Sequence, residues 1–121
     1  PVVIGGLSSS GTRGARWIVH DRLGIKMSPN IVKWNGDDKK ITFVIGLVWR
    51  GLLSHVRGEI SNASFSDAGK YLNHARSLIC AAVKQSWDEA GKPTNSWGFK
   101  TPRAITMVPL LDEMFGGSWT F

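Results

Sequence analysis

Cationic and aromatic residues alternate along the first half of the chain. The pairs are Arg16-Trp17, Lys33-Trp34, Lys39-Lys40 with Phe43, and Trp49-Arg50. Guanidinium and ammonium groups bind phosphates, and indole rings stack on nucleic-acid bases, each stacked base contributing about 1–3 kcal/mol. Neighbouring residues of a strand point to opposite faces, so a cation and its adjacent Trp cannot share one face of a sheet. The pattern therefore fits a sheet with aromatic rings on one open face and cations at its rim. The alternative is that these rings form the core, since Trp and Phe supply most of the buried area in a small domain.

The positive charge is concentrated in the same part of the chain. The sequence holds 15 Lys plus Arg against 9 Asp plus Glu, for a formal net charge of +6. Residues 1–60 hold nine of the cations and four of the anions, so they carry +5 of that charge. Such a region attracts phosphate backbones and also acidic protein surfaces, although a small soluble domain often has a net charge of this size.

A glycine-flanked serine run follows the apolar start of the chain. Gly6 and Gly11 have the spacing of a phosphate-binding P-loop, which this segment resembles. That motif needs Lys and then Ser or Thr directly after its second glycine, to bind the β and γ phosphates and magnesium. Thr12 and Arg13 stand there instead. We interpret residues 6–15 as a flexible Gly/Ser-rich arm whose arginine, with Arg16, reaches phosphates; an unstructured terminus is the alternative.

Two further motifs resemble catalytic ones. Gly36-Asp37-Asp38 resembles the metal-binding motif of viral RNA polymerases, but a palm domain does not fit into 121 residues. We therefore predict that these acids lie in a solvent-facing turn. Pro1, ahead of an apolar segment, resembles the start of the tautomerase superfamily, in which an N-terminal proline is the general base. That family has a long helix where this chain has its Gly/Ser-rich segment.

Other chemistry has little support in the sequence. His20, His55 and His74 do not show metal-ligand spacing, and a single Cys80 forms neither an internal disulfide nor a multi-cysteine metal site. The sequence predicts no metal, no cofactor and no catalytic residue. It contains no apolar run of membrane-spanning length and no signal-peptide pattern, so we expect an intracellular, soluble protein without a membrane partner.

The first half of the chain is predicted to form strands. We expect strands at 16–20 and 23–27, a β-hairpin at 31–46 around the Asn35-Gly36 turn, and a central strand at 41–49 kinked at Gly46. Residues 52–60 fit a strand or a helical turn equally well, and we favour the strand. Together they make an antiparallel sheet of four or five strands within about residues 16–60.

Helices are predicted in the second half. Ser66 is an N-cap candidate, and a helical pattern runs over about 67–90 until Gly91 and Pro93 end it. One face of this helix carries Tyr71, Ala75, Leu78, Ile79, Ala82, Val83 and Trp87, which should pack on the sheet. A short C-terminal helix is expected at 108–115. The whole chain, 1–121, is thus one α+β domain.

These features predict a non-catalytic nucleic-acid-binding protein that prefers single strands. The phosphate-binding candidates are Arg13, Arg16, Lys33, Lys39, Lys40 and Arg50, and the stacking candidates are Trp17 and Trp34. One alternative is a small viral or phage protein with a structural or host-interaction role, in which Trp97, Phe99, Trp119 and Phe121 form an assembly patch. A second is a small tautomerase-type enzyme that uses Pro1. A homodimer that extends an open sheet edge suits a domain of this size.

Overall fold

The computed structural model describes residues 1–6, 11–56, 65–94 and 96–120. Within these ranges the chain forms three short strands: β1 (Val2–Ile4), β2 (Lys26–Met27) and β3 (Trp97–Lys100). It also forms four α-helices: α1 (Thr12–Trp17), α2 (Lys39–Val56), α3 (Phe65–Glu89) and α4 (Val108–Phe115). A π-helical segment, Ile18–Arg22, continues α1, and a 3-10 helical segment, Pro102–Met107, leads into α4.

The three strands make a parallel sheet in the order β1-β3-β2. Val3 of β1 pairs with Phe99, and Met27 of β2 pairs with Gly98. The predicted antiparallel sheet of four or five strands is therefore wrong, although helices and strands are combined as expected. Parallel neighbours need a crossover of a dozen or more residues, so the chain between them is mostly helical.

Helix α2 replaces the hairpin arm and the central strand predicted for this part of the chain. Ile41, Ile45 and Val48 recur at helical spacing and are all buried, whereas Phe43 is 63% exposed. An apolar run of this kind fits a strand or a buried helix equally well by its periodicity. Asp38 favours the helix, because its carboxylate accepts a hydrogen bond from the Ile41 N–H at 2.7 Å and so caps the first turn.

The other strands predicted in this region are wrong as well. Helix α1 and its π-helical continuation cover 16–20, and of 23–27 only Lys26–Met27 is a strand. Residues 52–56 belong to α2, while 57–60 lie outside the described residues. None of the residues of α1 or its continuation is buried, so a hydrophobic face does not explain this helix. The connection between the strands accounts for it. Strands β1 and β2 lie at opposite edges of the sheet and run in the same direction, so the chain that leaves β1 must pass back to the amino-terminal end of the sheet before it forms β2.

The predicted turn forms without the predicted hairpin. The Gly36 N–H donates to the Val32 carbonyl at 2.8 Å, and Gly36 has a φ of 75°, which suits glycine. Ile31 and Asp38 make one isolated antiparallel bridge across the turn. The segment is therefore a compact loop between β2 and α2.

The two predicted helices of the second half are confirmed. Helix α3 ends at Glu89, within one residue of the prediction, and α4 has the predicted bounds. The face predicted to be buried includes Ala75, Ile79, Ala82 and Val83, which are all buried, whereas Leu78 is exposed. The helical period therefore identified most of the packed face.

The core lies between α2, α3 and the sheet face that carries Val3, Trp97 and Phe99. Trp97 and Phe99 stand two residues apart on β3, so they share a face, and their ring centroids are 5.6 Å apart. Both side chains are buried. Two residues of the predicted assembly patch are therefore core residues and are not available to a partner, and a third, Trp119, is half-buried. Phe121 lies outside the described residues.

Gly98 permits the close packing of the central strand, and its replacement should be costly. A Cβ at this position would clash with the Val2 carbonyl oxygen and lie 3.1 Å from the Met27 sulfur. We expect Gly98→Ala to destabilise the protein by about 1–3 kcal/mol, measured by urea unfolding. Gly14→Ala is the control, because a Cβ there meets nothing within 4 Å. It lies in α1, so the added methyl should stabilise by about 0.5–1 kcal/mol. Equal stabilities would contradict this packing.

Tyr71 should titrate abnormally, because its phenol lies between α2 and α3. Its hydroxyl donates to the Val48 carbonyl at 2.9 Å, and burial raises the pKa of Tyr71. The unfolded chain then loses this proton first, so stability conferred by the neutral phenol is lost as the pH rises above about 10. Tyr71 is the only tyrosine, so phenolate absorbance reports it directly. We expect a higher midpoint in the folded protein than in guanidinium chloride; equal midpoints would refute the burial.

Candidate functional site

The carboxyl ends of β1 and β3 lie side by side, and the chain segments leaving them stay paired. Ile4 is in register with Lys100, the last residue of β3. Beyond the strands, the Thr101 N–H donates to the Ile4 carbonyl at 3.0 Å, and the Gly6 N–H donates to the Pro102 carbonyl at 3.2 Å. In open sheets of parallel strands, ligands bind outside this edge.

A cavity of about 420 Å³, here called cavity A, opens at this edge. Its lining residues are Gly11, Thr12, Arg13, Trp34, Asn35, Asp37, Lys100 and Pro102. They come from three places: the start of α1, the loop before α2 and the end of β3 with the residues after it. The Trp34 side chain is 73% exposed, so its ring is available to a ligand.

Lys100 and Asp37 form a buried ion pair in the wall of cavity A. Their side chains are only 3% and 9% exposed. The Lys100 ammonium donates to Asp37 Oδ1 and, at 2.9 Å, to the Asn35 carbonyl oxygen. The Asn35 side-chain amide donates to Asp37 Oδ2 at 2.8 Å, so both carboxylate oxygens are held. The prediction of solvent-facing acids is therefore wrong, because Asp37 and its neighbour Asp38 are both buried.

A second cavity of about 630 Å³, cavity B, adjoins the first and shares Asp37 and Pro102 with it. Its cationic lining residues are Lys39, Arg50 and Arg103. The Arg103 guanidinium lies against α2 at Gly46, where a Cβ would clash with it. The prediction that Gly46 kinks a strand is therefore wrong. Gly46 lies within α2, and its lack of a side chain leaves space for the guanidinium of Arg103 against the helix. Cavities A and B together are called the cleft.

The cleft is electropositive. Five cations line the part of it that the structure describes: Lys100, which is paired with Asp37, and four others, Arg13, Lys39, Arg50 and Arg103. Among the described residues, none of the latter four forms an ion pair with a carboxylate, and Asp37 is the only acidic side chain that lines either cavity. Cations left without carboxylates in a concave site attract anions and strengthen each other's potential. The arrangement suits a ligand that carries phosphate groups.

Asp38 determines the position of the loop that carries Asp37. Its carboxylate Oδ2 accepts hydrogen bonds at 2.5 Å from the hydroxyls of both Ser28 and Ser86, which are 2.7 Å apart. Its backbone N–H donates to the Lys100 carbonyl at 2.7 Å. These contacts join the segment after β2, the last turns of α3, the start of α2 and the end of β3. A buried carboxylate needs such donors to offset its loss of hydration.

The predicted site residues are distributed between the cleft and other surfaces. Arg13 and Trp34 line cavity A, Lys39 and Arg50 line cavity B, and the Arg16 side chain lies against the loop at Gly36. Lys33 is exposed beside Trp34. Trp17 carries the Arg22 guanidinium 5.2 Å from its ring centroid. Lys40 donates to Glu89, and that hydrogen bond lowers the pKa of the glutamate.

Sequence reasoning missed Arg103, Lys100 and Asn35. Residues 92–102 had the composition of a loop, whereas Trp97–Lys100 is the central strand. A usable signal was present, because Trp97 and Phe99 alternate with Gly98 and Lys100 as in a strand. The alternation predicts a strand that ends at Lys100, just before Pro102. It therefore places a charged residue at the carboxyl end of a strand, where ligands bind in parallel sheets.

The remaining candidates lie elsewhere. Pro1 lines a separate cavity of about 650 Å³ between α3, α4 and the start of β1. His20 is exposed, with Nδ1 3.2 Å from the Ile25 carbonyl oxygen, and the His55 side chain lies outside the described residues. Across the described residues, His, Cys, Asp and Glu form no cluster suited to a metal ion, and no helix is long and apolar enough to cross a membrane.

Removal of the Asp38 carboxylate should destabilise the whole arrangement. Asp38→Ala removes a helix cap and leaves two buried hydroxyls without their acceptor, so we expect a loss of about 3 kcal/mol in urea unfolding. Asp38→Asn keeps an oxygen for the Ile41 N–H and should cost less. Asp21→Ala is the control, because that carboxylate is exposed, and its effect should stay within about 0.5 kcal/mol. A small effect of Asp38→Ala would contradict this role.

Comparison of the chain with known proteins found no matching family model, no similar curated protein and no similar solved structure. The residues of the cleft therefore have to support a functional assignment without help from relatives.

Proposed function

We propose that the protein binds a nucleotide in the cleft, with its phosphates among the cations and its base against Trp34. The observation that carries this proposal is the position of the cleft. It opens at the carboxyl ends of two adjacent parallel strands, where α/β folds bind phosphorylated ligands, and four cations without carboxylate partners among the described residues line it.

Arg13 supports a phosphate at cavity A. It lines the cavity together with Gly11 and Thr12. Arg13 forms charge-assisted, two-pronged hydrogen bonds with phosphate oxygens. The Lys and Ser/Thr of a P-loop are absent at this point of the sequence. The charge that meets the phosphate therefore comes from an arginine and from other segments of the chain.

The size of the cleft favours a small ligand. Cavities of about 420 and 630 Å³ lie within the range of about 300–1,000 Å³ found for small-molecule sites. Trp34 stands at the rim of cavity A, where its exposed ring provides a stacking surface for a base. Cavity B, with Lys39, Arg50 and Arg103, accommodates a second phosphate or another anionic group of the same ligand.

Single-stranded nucleic acid is the second candidate, and the exposure of Trp34 favours it. Arg13 lines the same cavity as this ring, Lys33 is exposed and adjacent to Trp34 in the sequence, and Arg16 lies against the same loop at Gly36. Cations are therefore available on this side of a stacking surface that is open to solvent. A strand could pass over the ring and lay its phosphates along them. Such binding would weaken with salt in proportion to the number of phosphates neutralised.

Calorimetric titration with nucleoside diphosphates tests the first candidate. Arg13→Gln should weaken binding at least about tenfold, because a charge-assisted hydrogen bond contributes about 1.5–3 kcal/mol. Arg22→Gln is the matched control, since that guanidinium lies over Trp17 outside the cleft. Trp34→Leu should weaken binding by about 1–3 kcal/mol, and Trp17→Leu should have no effect.

The two candidates give different results with longer ligands. If the cleft takes a nucleotide, a single-stranded oligonucleotide should bind no more tightly than a mononucleotide carrying the same terminal phosphates. If single strands are the ligand, affinity should rise with length, and log K should fall with log salt by about 0.7 per phosphate. Failure of both probes, or equal affinities for wild type and Arg13→Gln, would refute a phosphate-binding cleft.

A further inference from the structure

One N–H of the Lys100 ammonium has no acceptor among the described residues of the proposed site. Its side chain is 3% exposed, and it lines cavity A at the end of the central strand. An ammonium group has three N–H donors and no acceptor. Among the described residues, Asp37 and the Asn35 carbonyl accept two of them. One donor is therefore left for a group within cavity A.

The Asp37 carboxylate places a negative charge in the same cavity wall that the phosphate of the proposed ligand would approach. Its carboxylate lines both cavities, and both of its oxygens already accept hydrogen bonds, from Lys100 and from Asn35. The carboxylate is therefore fixed in position and does not turn away when an anion approaches. Its charge offsets that of Lys100 at the point where the two cavities meet.

We infer that Lys100 binds the ligand phosphate directly and that Asp37 acts as a permanent counter-charge beside it. The Asp37 carboxylate positions the Lys100 ammonium and disfavours ligands that place a large negative charge next to that ammonium. This inference rests on the proposed nucleotide function and deepens it. The remaining N–H of Lys100 contacts a non-bridging phosphate oxygen. A singly charged phosphate, such as a diester or the inner phosphate of a nucleotide, suits this place better than a terminal dianionic phosphate, which the carboxylate repels.

A purely structural ion pair predicts different behaviour. If the pair only supports the fold, the loss of either partner lowers stability and leaves ligand affinity the same or weaker. If Asp37 competes with the ligand for Lys100, removal of its charge has the opposite effect on binding. The sign of the change in affinity therefore separates the two roles.

The test compares wild type, Asp37→Asn, Lys100→Met and the double variant by calorimetry with adenosine diphosphate. Asparagine is nearly isosteric with aspartate and removes its charge. Its single amide oxygen accepts a hydrogen bond from either Lys100 or the Asn35 amide, but not from both. We expect Asp37→Asn to bind about tenfold more tightly and Lys100→Met about tenfold more weakly. The double variant lacks both charges, so no unpaired buried charge remains. It should bind more weakly than wild type but more tightly than Lys100→Met, in which the unpaired Asp37 carboxylate also repels the ligand. Thermal unfolding of each variant checks that it is folded.

A second readout measures charge discrimination. Wild type should prefer the methyl ester of adenosine monophosphate, which carries one phosphate charge, over the doubly charged parent compound. Asp37→Asn should lose most of this preference. A variant altered only in stability would keep the wild-type ratio.

The possible failures are distinguishable. If wild type binds none of these adenine nucleotides, the proposed function fails and the inference fails with it. If wild type binds them and Arg13→Gln weakens binding, while Asp37→Asn fails to bind more tightly, the cleft stands and the role of Asp37 as a counter-charge is wrong. If Lys100→Met and the double variant bind as tightly as wild type, Lys100 does not contact the ligand.

Discussion

One buried carboxylate, that of Asp38, holds together the segments of the chain that form the cleft. Asp38 accepts hydrogen bonds from Ser28, from Ser86 and from the first turn of α2, while its own N–H donates to the end of β3. The start of α2, the last turns of α3, the end of β3 and the segment after β2 therefore meet at one residue. A buried carboxylate depends on its hydrogen-bond donors to offset the loss of hydration, so the Asp38 side chain favours the one arrangement of the surrounding segments that supplies all of these donors.

The cleft is a consequence of that arrangement. The residue before Asp38 is Asp37, and anchoring one places the other beside Lys100 in the wall of cavity A. The same anchoring begins α2, whose first turns bring Lys39 towards cavity B. A cleft whose described lining holds five cations and one carboxylate, itself paired with Lys100, thus arises from a structural network nearby. The electrostatics of the site and the stability of the fold depend on overlapping residues, so substitutions that probe binding require a check of folding.

Some of the predicted site residues lie together in the structure and others do not, for reasons that can be traced to particular residues. Arg13, Trp34, Lys39 and Arg50 were proposed from residue type alone, and all four line the cleft. Residue type does not tell which cations are already occupied: Lys40 is paired with Glu89 across 49 positions of sequence. Nor does it reveal that Arg103 crosses α2 at Gly46, because that contact joins segments far apart in the chain.

The amino-acid sequence by itself determined the cationic character of the first half and the two helices of the second half. Both follow from local information: side-chain charge needs no partner, and the 3.6-residue period of α3 is complete within one segment. Only the tertiary structure decided whether the apolar run at Ile41–Val48 became strand or helix, since its pattern fits either state. That choice depended on a helix cap, on the packing of α3 and on the crossovers that parallel strands require. The cleft exists for the same reason, because its walls come from segments that meet only after the chain has made those crossovers.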